Sequence, residues 1–408
     1  MAREHKLTGM EPAPITAEEI PAFRDAVQSA FHHDASPQHL ELMQKVIEPD
    51  RTLVLRDGEK IVAATAIYPR RISVPGGEVP VAGVTQVGVR PTHRRRGMLT
   101  TLMRRQLADV HEAGDEAIAA LWASESVIYG RYGYGLATLT TDLHVATREA
   151  RLREAPQADI DLLLAPEAVD RMRPIHDAAR AQRPGMIDRP GPWWEFRIDD
   201  PEDEREGAQA LRAVVTDGGY ALYAGKLKFE ESGPAGQAKV REVVATNPEA
   251  YGVIWSFLLG LDLTRTIVYE LAPADDPLQH MLAEARSVTY KWVGDALWVR
   301  LVDLPRALAE RAYAQPFEVV FEVTDVVCPW NAGRWALRWD GEAATCAKTG
   351  LPAGIELSVN ELGAVYLGGT TFATLARAGR ARELRSGALT AASRAFRADV
   401  EPWCPEIF

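Results

Sequence analysis

The hydrophobic pattern changes its period at Pro91, and that change constrains the fold more than any other feature. Up to Val89 the stretch "RTLVLRDGEKIVAATAIYPRRISVPGGEVPVAGVTQVGV" alternates as strands do, with turn signals at Asp57-Gly58 and Gly76-Gly77. A meander of antiparallel strands fits it. Beyond Pro91, Leu99, Leu102, Met103, Gln106, Leu107 and Val110 fall at helical spacing, and Gly114 stops the helix. "EAIAALWAS" then reads as a short buried strand. A strand, a helix and a strand in close succession require a parallel crossover. Ahead of the meander, "AEEIPAFRDAVQSAF" reads as a helix with Ile20, Phe23, Val27 and Phe31 on one face. The opening part is therefore an α/β unit.

A chain of 408 residues is too long for one ordinary core, so two or three domains are expected. The middle repeats the rhythm. "VVTDGGYALYAG" signals a hairpin, "AKVREVVA" a strand and "NPEAYGVIWSFLLGL" a helix. The turn before that helix, "TNPEA", has neither a basic run nor a glycine. From Leu297 onward, "FEVVFEVTD", "GRWALRWDG" and "GIELSVNELGAVYLGG" read as strands, and Thr371 to Asp399 as a long helical stretch. Strands followed by helices suggest a small α+β domain. The expected divisions are residues 1–149, 150–294 and 295–408.

Acidic residues outnumber basic ones, 57 to 46, for a net charge of −11. A protein that binds nucleic acid is usually basic over its binding domain, so the run "HRRRG" is a local device on an acidic body. The best membrane candidate, "GVIWSFLLGL", has half the ~20 residues that a bilayer requires. The first residues, "MAREHKLTGMEPAP", lack the apolar core of a signal peptide, so a cytoplasmic location without a membrane partner is expected. Cys328, Cys346 and Cys404 are odd in number and widely spaced, which argues against a disulfide framework and a zinc site.

A helix N-terminus leaves four N–H groups unpaired, and the macrodipole adds partial positive charge. An anion such as pyrophosphate answers both. Gly97 lets the backbone approach closely, and the flanking Arg94, Arg95 and Arg96 can supply charge-assisted bonds to phosphate. In the preceding strand, "VTQVGV", Gly88 between two valines invites a bulge or a close approach. An opened strand can bond an extended ligand through its amides, as a sheet edge takes up a peptide. Coenzyme A, with an amide-bearing arm and a pyrophosphate, matches both features. A Walker-type phosphate loop is absent, and no GxGxxG follows a first strand.

"VGVRPTHRRRGML" resembles the coenzyme-A loop of GNAT-fold N-acetyltransferases, whose pattern is Q/R-x-x-G-x-G/A after a bulged strand. Arg94, Gly97 and Leu99 fall on it, with leucine where the pattern prefers Gly or Ala. Taken with "ASESVIYGRYGYG" and the length, the chain resembles the Eis-type (enhanced intracellular survival) acetyltransferases throughout. The resemblance implies an α/β (α+β) fold of tandem GNAT-like domains, each a mixed sheet with a central bulged strand, followed by an α+β domain related to sterol carrier proteins. Residues 1–149 would be the catalytic domain, 150–294 a copy without cofactor loop, and 295–408 the last domain. It also implies acetyl-CoA as co-substrate, no metal, and a homohexamer.

Acetyl transfer from a thioester to an amine poses two proton problems. The amine must be neutral to attack, and the departing thiolate is helped by a donor. A phenol of pKa ~10 stays protonated at neutral pH and can be that donor. Of Tyr129, Tyr132 and Tyr134, Tyr129 lies just after "ALWAS", where the crossover returns beside the cofactor strand. By resemblance Tyr129 is the general acid, whereas Tyr132 and Tyr134 read as packing. His32, His33, His93 and His111 read as surface or cap residues rather than as a base. The tail "VEPWCPEIF" is apolar, proline-stiffened and closes on Phe408. A terminal carboxylate, ordinarily at ~3.5, would rise if partly buried there, and by resemblance it takes the amine's proton. The cofactor contacts implied by resemblance are Val87, Gly88 and Val89 on the strand, Arg94, Arg95, Arg96, Gly97, Met98, Leu99 and Thr100 on the loop, and Ser124 and Glu125 near the thioester.

Members of the resembled family acetylate polyamine-like compounds, including aminoglycosides, and some modify protein lysines. A cationic acceptor needs carboxylates in its pocket. The tail offers Glu406 but has Ile407 beside the last residue, and His33 stands where an acid is expected, with Asp34 next to it. Both departures weigh against broad aminoglycoside acetylation. Trp122, Trp193 and Trp194 could line a pocket, with buried packing the plainer expectation. Two rival functions remain. The last domain could carry a lipid or other apolar ligand, which a sizeable apolar cavity would support. Alternatively the chain could bind coenzyme A without using it, against which Tyr129 and the Phe408 carboxylate stand.

Overall fold

The meander forms as its alternation implies, in a computed structural model that describes residues 10–32 and 36–408. Thr52–Asp57 (β1), Lys60–Val74 (β2) and Gly77–Val89 (β3) pair antiparallel. Ile20–Phe31 (α1) and Pro37–Val46 (α2) precede them, and Met98–Ala113 (α3) leads to Ile118–Trp122 (β4). Strand β4 lies parallel to β3, so α3 is the crossover helix. It buries Met98, Leu102, Met103, Gln106, Leu107 and Val110, and ends at Gly114, whose N–H donates to the Val110 carbonyl. On the far side of β4 the sheet continues with Leu297–Leu301 and then Gly135–Leu136 (β5), between which and β4 comes the short helix Ser126–Tyr129 (α4).

Of the two readings of Gly88 the close approach holds, and one residue of α1 departs from its expected face. The bulge of β3 lies at Gln86-Val87 rather than at Gly88. Ala64 pairs with Gly88 and Ala66 with Thr85, so two residues of β3 oppose Thr65 alone, and Gln86 takes φ +54°. Gly88 serves close approach instead, since a Cβ there would lie 3.0 Å from that of Ala30 on α1. The amide of buried Gln106 donates to the Thr65 hydroxyl at 3.0 Å, which explains a polar residue on the apolar stripe of α3. In α1, Phe31 is 48% exposed, while Arg24 takes a buried place. The last turn of α1 overhangs a cleft, and the helix buries itself only along its earlier turns.

The C-terminal part forms a five-stranded sheet in the order Ala344–Lys348, Gly333–Trp339, Phe317–Thr324, Ile355–Ser358, Ala381–Glu383. The long strand read in "GIELSVNELGAVYLGG" ends at Ser358. There a capping box with Glu361 starts the helix Val359–Val365. The long helix read from Thr371 to Asp399 is broken into Phe372–Arg377 and Ala388–Phe396, because Gly379 and Gly387 adopt left-handed φ and a strand intervenes. Phe321, Phe372 and Phe396 interlock in the core, the last two with ring centroids 4.9 Å apart. Gly363 and Gly135 let the helix Val359–Val365 press on the first sheet, for a Cβ on Gly363 would lie 2.2 Å from the Val299 carbonyl oxygen.

These elements make one compact unit: the chain up to Thr138, Ala296–Asp399 and Ile407–Phe408. A second unit holds Leu139–Asp295 and Val400–Glu406. Its seven-stranded sheet contains Gly219–Lys226, Gly236–Ala245 and Thr264–Pro273, the last two parallel with the crossover helix Pro248–Leu259 between them. Trp194 and Trp255 fill its interior. Among the described residues no helix is long and apolar enough to cross a membrane, and no group of His, Cys, Asp or Glu is arranged to hold a metal ion.

Candidate active site

Strands β3 and β4 pair only through Val81–Ile118, Ala82–Ala119 and Gly83–Ala120. After Gly83 and Ala120, ahead of the bulge, they part, so the side of Val87, Gly88 and Val89 facing β4 is left without a neighbouring strand. Extended backbone with open N–H and C=O groups can take up the amides of a ligand arm. Further along, Arg95 has φ +63° and Gly97 φ +86°, and the chain enters α3 with Gly97 as its cap. No side chain caps this end. The N–H groups of Met98, Leu99 and Thr100 therefore stand without intrahelical acceptors beside the positive end of the dipole. Gly97 is the required residue at that φ, and a Cβ there would meet nothing within 4 Å.

The resulting cleft has a volume of about 640 Å³. Val87, Gly88, Val89, Arg94, Arg95, Gly97, Met98, Leu99, Thr100, Ser124 and Glu125 all line it. The three arginines differ in what they are free to do. Arg94 is committed to the Ala30 carbonyl at 2.9 Å, which braces the loop on α1. Arg96 lies outside the lining and donates to the Thr92 carbonyl at 3.1 Å. Arg95 lines the cleft and makes no hydrogen bond or ion pair among the described residues. A pyrophosphate fits this set: unpaired helix N–H groups and the Arg95 guanidinium beside them, with Arg131 also in the lining.

A second cavity, of about 660 Å³, opens between α1, α2, the bulged part of β3 and the end of β4. Trp122, Ile407 and Phe408 line it. The ring of Phe408 rests on β3 where the strands begin to part, 3.2 Å from the place a Gly83 Cβ would take. The two cavities share Phe31, Val87, Ser124 and Tyr129. Tyr129 is thus a wall common to both. Burial pushes its phenol up to about 12, against a smaller opposing effect of a hydrogen bond with Ser124. It is protonated across the neutral range, so it has a proton to give and cannot serve as a base.

The neighbouring tyrosines hold this wall. The Tyr132 hydroxyl meets Thr100 Oγ1 at 3.1 Å, and Tyr134 is fully buried with its ring edge-on to Tyr129. Asn360, on the helix Val359–Val365, donates to the carbonyls of Gly130 and Tyr134 at 2.7 and 2.9 Å. Nothing in the sequence near Asn360 signals that task, since it faces a segment more than two hundred positions away. His93 approaches Asp57 at 3.2 Å and His111 stacks on Trp330, so neither faces Tyr129 as a base. His33 and Asp34 lie outside the described residues. Trp193 and Trp194 are buried in the second unit.

The equivalent turn of the second unit offers no cradle. Asn247 caps the helix Pro248–Leu259 by accepting from the Ala250 N–H at 2.8 Å, Pro248 has no N–H, and Glu249 adds negative charge. The strand Gly236–Ala245 also bulges, between Val240 and Glu242, but buried charge fills the place. Arg189 grips Glu242 at 2.7 and 2.9 Å, Tyr220 donates to it at 2.8 Å, and Arg197 reaches it too. Glu406, weighed above as an acid for the acceptor, pairs with Arg189 within this same unit.

Comparison with known proteins matches these parts in order. Residues 11–137 and 185–301 match two acetyltransferase (GNAT) domain families, and residues 304–405 a sterol carrier protein domain. An uncharacterized N-acetyltransferase of Streptomyces avermitilis is 41% identical, covering 90% of this chain and 92% of its own. The N-acetyltransferase Eis of Mycobacterium tuberculosis is 33% identical, covering 94% and 96%. The crystal structure of Eis1 from Mycobacterium abscessus superposes with a TM-score of 0.87 at 32% identity, over 98% of this chain and all of that one.

Proposed function

Since the chain belongs to the Eis family of GNAT N-acetyltransferases, we propose that it transfers acetyl directly from acetyl-CoA to a primary amine at the junction of the two cavities. The observation that carries this reading is the wall they share, with Tyr129 in it. Acetyl-CoA supplies the acetyl group as a thioester. The N–H groups of Met98, Leu99 and Thr100 and the Arg95 guanidinium hold the pyrophosphate, and the open side of Val87–Val89 aligns the arm. The amine attacks the thioester carbonyl, a C–N bond forms and the C–S bond breaks. Tyr129 donates a hydrogen bond to the sulfur as charge develops, and the proton follows as the bond opens. The α-carboxylate of Phe408, where it ends the chain, takes the proton that the amine must lose. By resemblance the enzyme works as a homohexamer, which light scattering tests directly.

A lipid-carrying role is less well supported. Its seat would be the core of the last domain, which is filled by the rings of Phe321, Phe372 and Phe396.

The test is thiol release from acetyl-CoA with a panel of amines, using protein whose chain ends at Phe408. The panel spans aminoglycosides, linear polyamines, arylalkylamines and lysine peptides. Release that depends on an amine is expected. Tight coenzyme-A binding with no release for any amine would favour a binding scaffold instead.

A further inference from the structure

The walls of the acceptor cavity are mostly apolar, with Val27, Leu40, Met43 and Trp122 among them. No aspartate or glutamate occurs among its described lining residues. A polycationic acceptor would bury several ammonium groups there with no anion except the Phe408 carboxylate, which is costly. The cavity instead holds a cation of its own. Arg24, on the inner face of α1, is 7% exposed. Its Nη1 donates to the Leu40 carbonyl of α2 at 3.2 Å, and its Nε is buried without a partner. Among the described residues no carboxylate pairs with it.

A buried guanidinium with no counter-ion among the described residues is an expensive arrangement unless an anion arrives with the ligand. Its planar fork of donors matches a carboxylate in bidentate fashion. A phosphate would bring a second negative charge with no second arginine or lysine in the lining to meet it. The two ends of the cavity are therefore chemically distinct. Ser124 and Tyr129 lie where this cavity meets the cofactor cleft, and Arg24 with Leu40 lies where α1 meets α2.

Building on the reading of this site as the acceptor half of an amine acetyltransferase, we propose that the acceptor is a primary amine bearing a carboxylate on an apolar body of aromatic size. Arg24 binds the carboxylate, and the amine points to Tyr129 and Phe408. Chemically this is an amino carboxylate whose two charged groups are separated by the apolar body rather than carried on one carbon.

Matched pairs test it: 6-aminohexanoate against hexylamine, and para-aminomethylbenzoate against benzylamine, with spermidine as the polycation. In the unaltered enzyme at least one carboxylated amine should exceed its uncharged-body partner in kcat/KM by about tenfold or more. Arg24→Gln should bring that ratio close to one, and Arg24→Lys should keep part of it. Because each ratio is taken within one protein, partial unfolding of a variant cancels, and coenzyme-A binding reports whether it is folded. A preference for spermidine or the plain amines, or a ratio unmoved by Arg24→Gln, overturns the carboxylate proposal while leaving amine acetylation standing. No release with any amine overturns both.

Discussion

Burial that raises the Tyr129 phenol to about 12 decides which half of acid–base chemistry it can perform. Tyr129→Phe is expected to lower kcat about a hundredfold while KM for acetyl-CoA stays within about twofold, as read from thiol-release kinetics. The sign in pH follows from the same burial. The phenol stays protonated until pH rises toward about 12, so kcat should not fall on its account between about pH 8 and about pH 10. A loss with a midpoint near about pH 9 would point to a different acid. Among the arginines, Arg95→Ala should weaken coenzyme-A binding about tenfold and Arg96→Ala less than about twofold, measured by calorimetry. The sequence presents Arg94, Arg95 and Arg96 as equals. They part company only because Ala30 and Thr92 offer carbonyls to two of them. Arg24 and Asn360 carry no local signal, since each matters for what a distant segment brings to it.

At the level of elements, the strand–loop–helix unit was readable in full because period and capping are properties of neighbours in sequence. Gly88 invites either a bulge or a close approach, and it makes the second, while the bulge falls just before it at Gln86-Val87, where no residue type signals one. Its register depends on the pairing of β3 with β2. In the second unit the absence of a basic loop was legible in "TNPEA". What occupies the corresponding bulge was not. Burial pushes the Glu242 carboxyl up, but Arg189 and Arg197 together outweigh it and hold it well below the usual range. A depressed carboxyl contributes stability above its unfolded value and loses it as pH falls through the folded one. Glu242→Gln should therefore cost about 3–5 kcal/mol at neutral pH, because Arg197 loses its counter-ion and buried Arg189 keeps only Glu406. Urea titration checks this, and the gap from the unaltered protein should narrow once pH drops below about 4.

For the whole molecule the sharpest expectation concerns the end of the chain. Adding residues after Phe408 should reduce kcat by more than about a hundredfold, while coenzyme-A affinity stays within about twofold, by parallel kinetics and calorimetry. A tagged enzyme as active as the untagged one would remove Phe408 from the mechanism. The tail's composition could be read in advance, but not its destination beside Gly83, because that contact joins segments more than three hundred residues apart.

By itself, then, the sequence determined the α/β plan, the glycine-capped start of α3 behind its basic run, the different turn of the second copy and the tyrosine that follows β4. Each rests on residues close together in the chain, where hydrophobic period, helix capping and glycine backbone freedom act locally. Tertiary structure decided where the strands part, which arginine stays free, that Phe408 and Tyr129 line one cavity, and that Arg24 is buried there with its Nε unpaired. Those outcomes depend on which polar groups are left unsatisfied after remote segments have packed, a balance that no stretch of neighbouring residues contains.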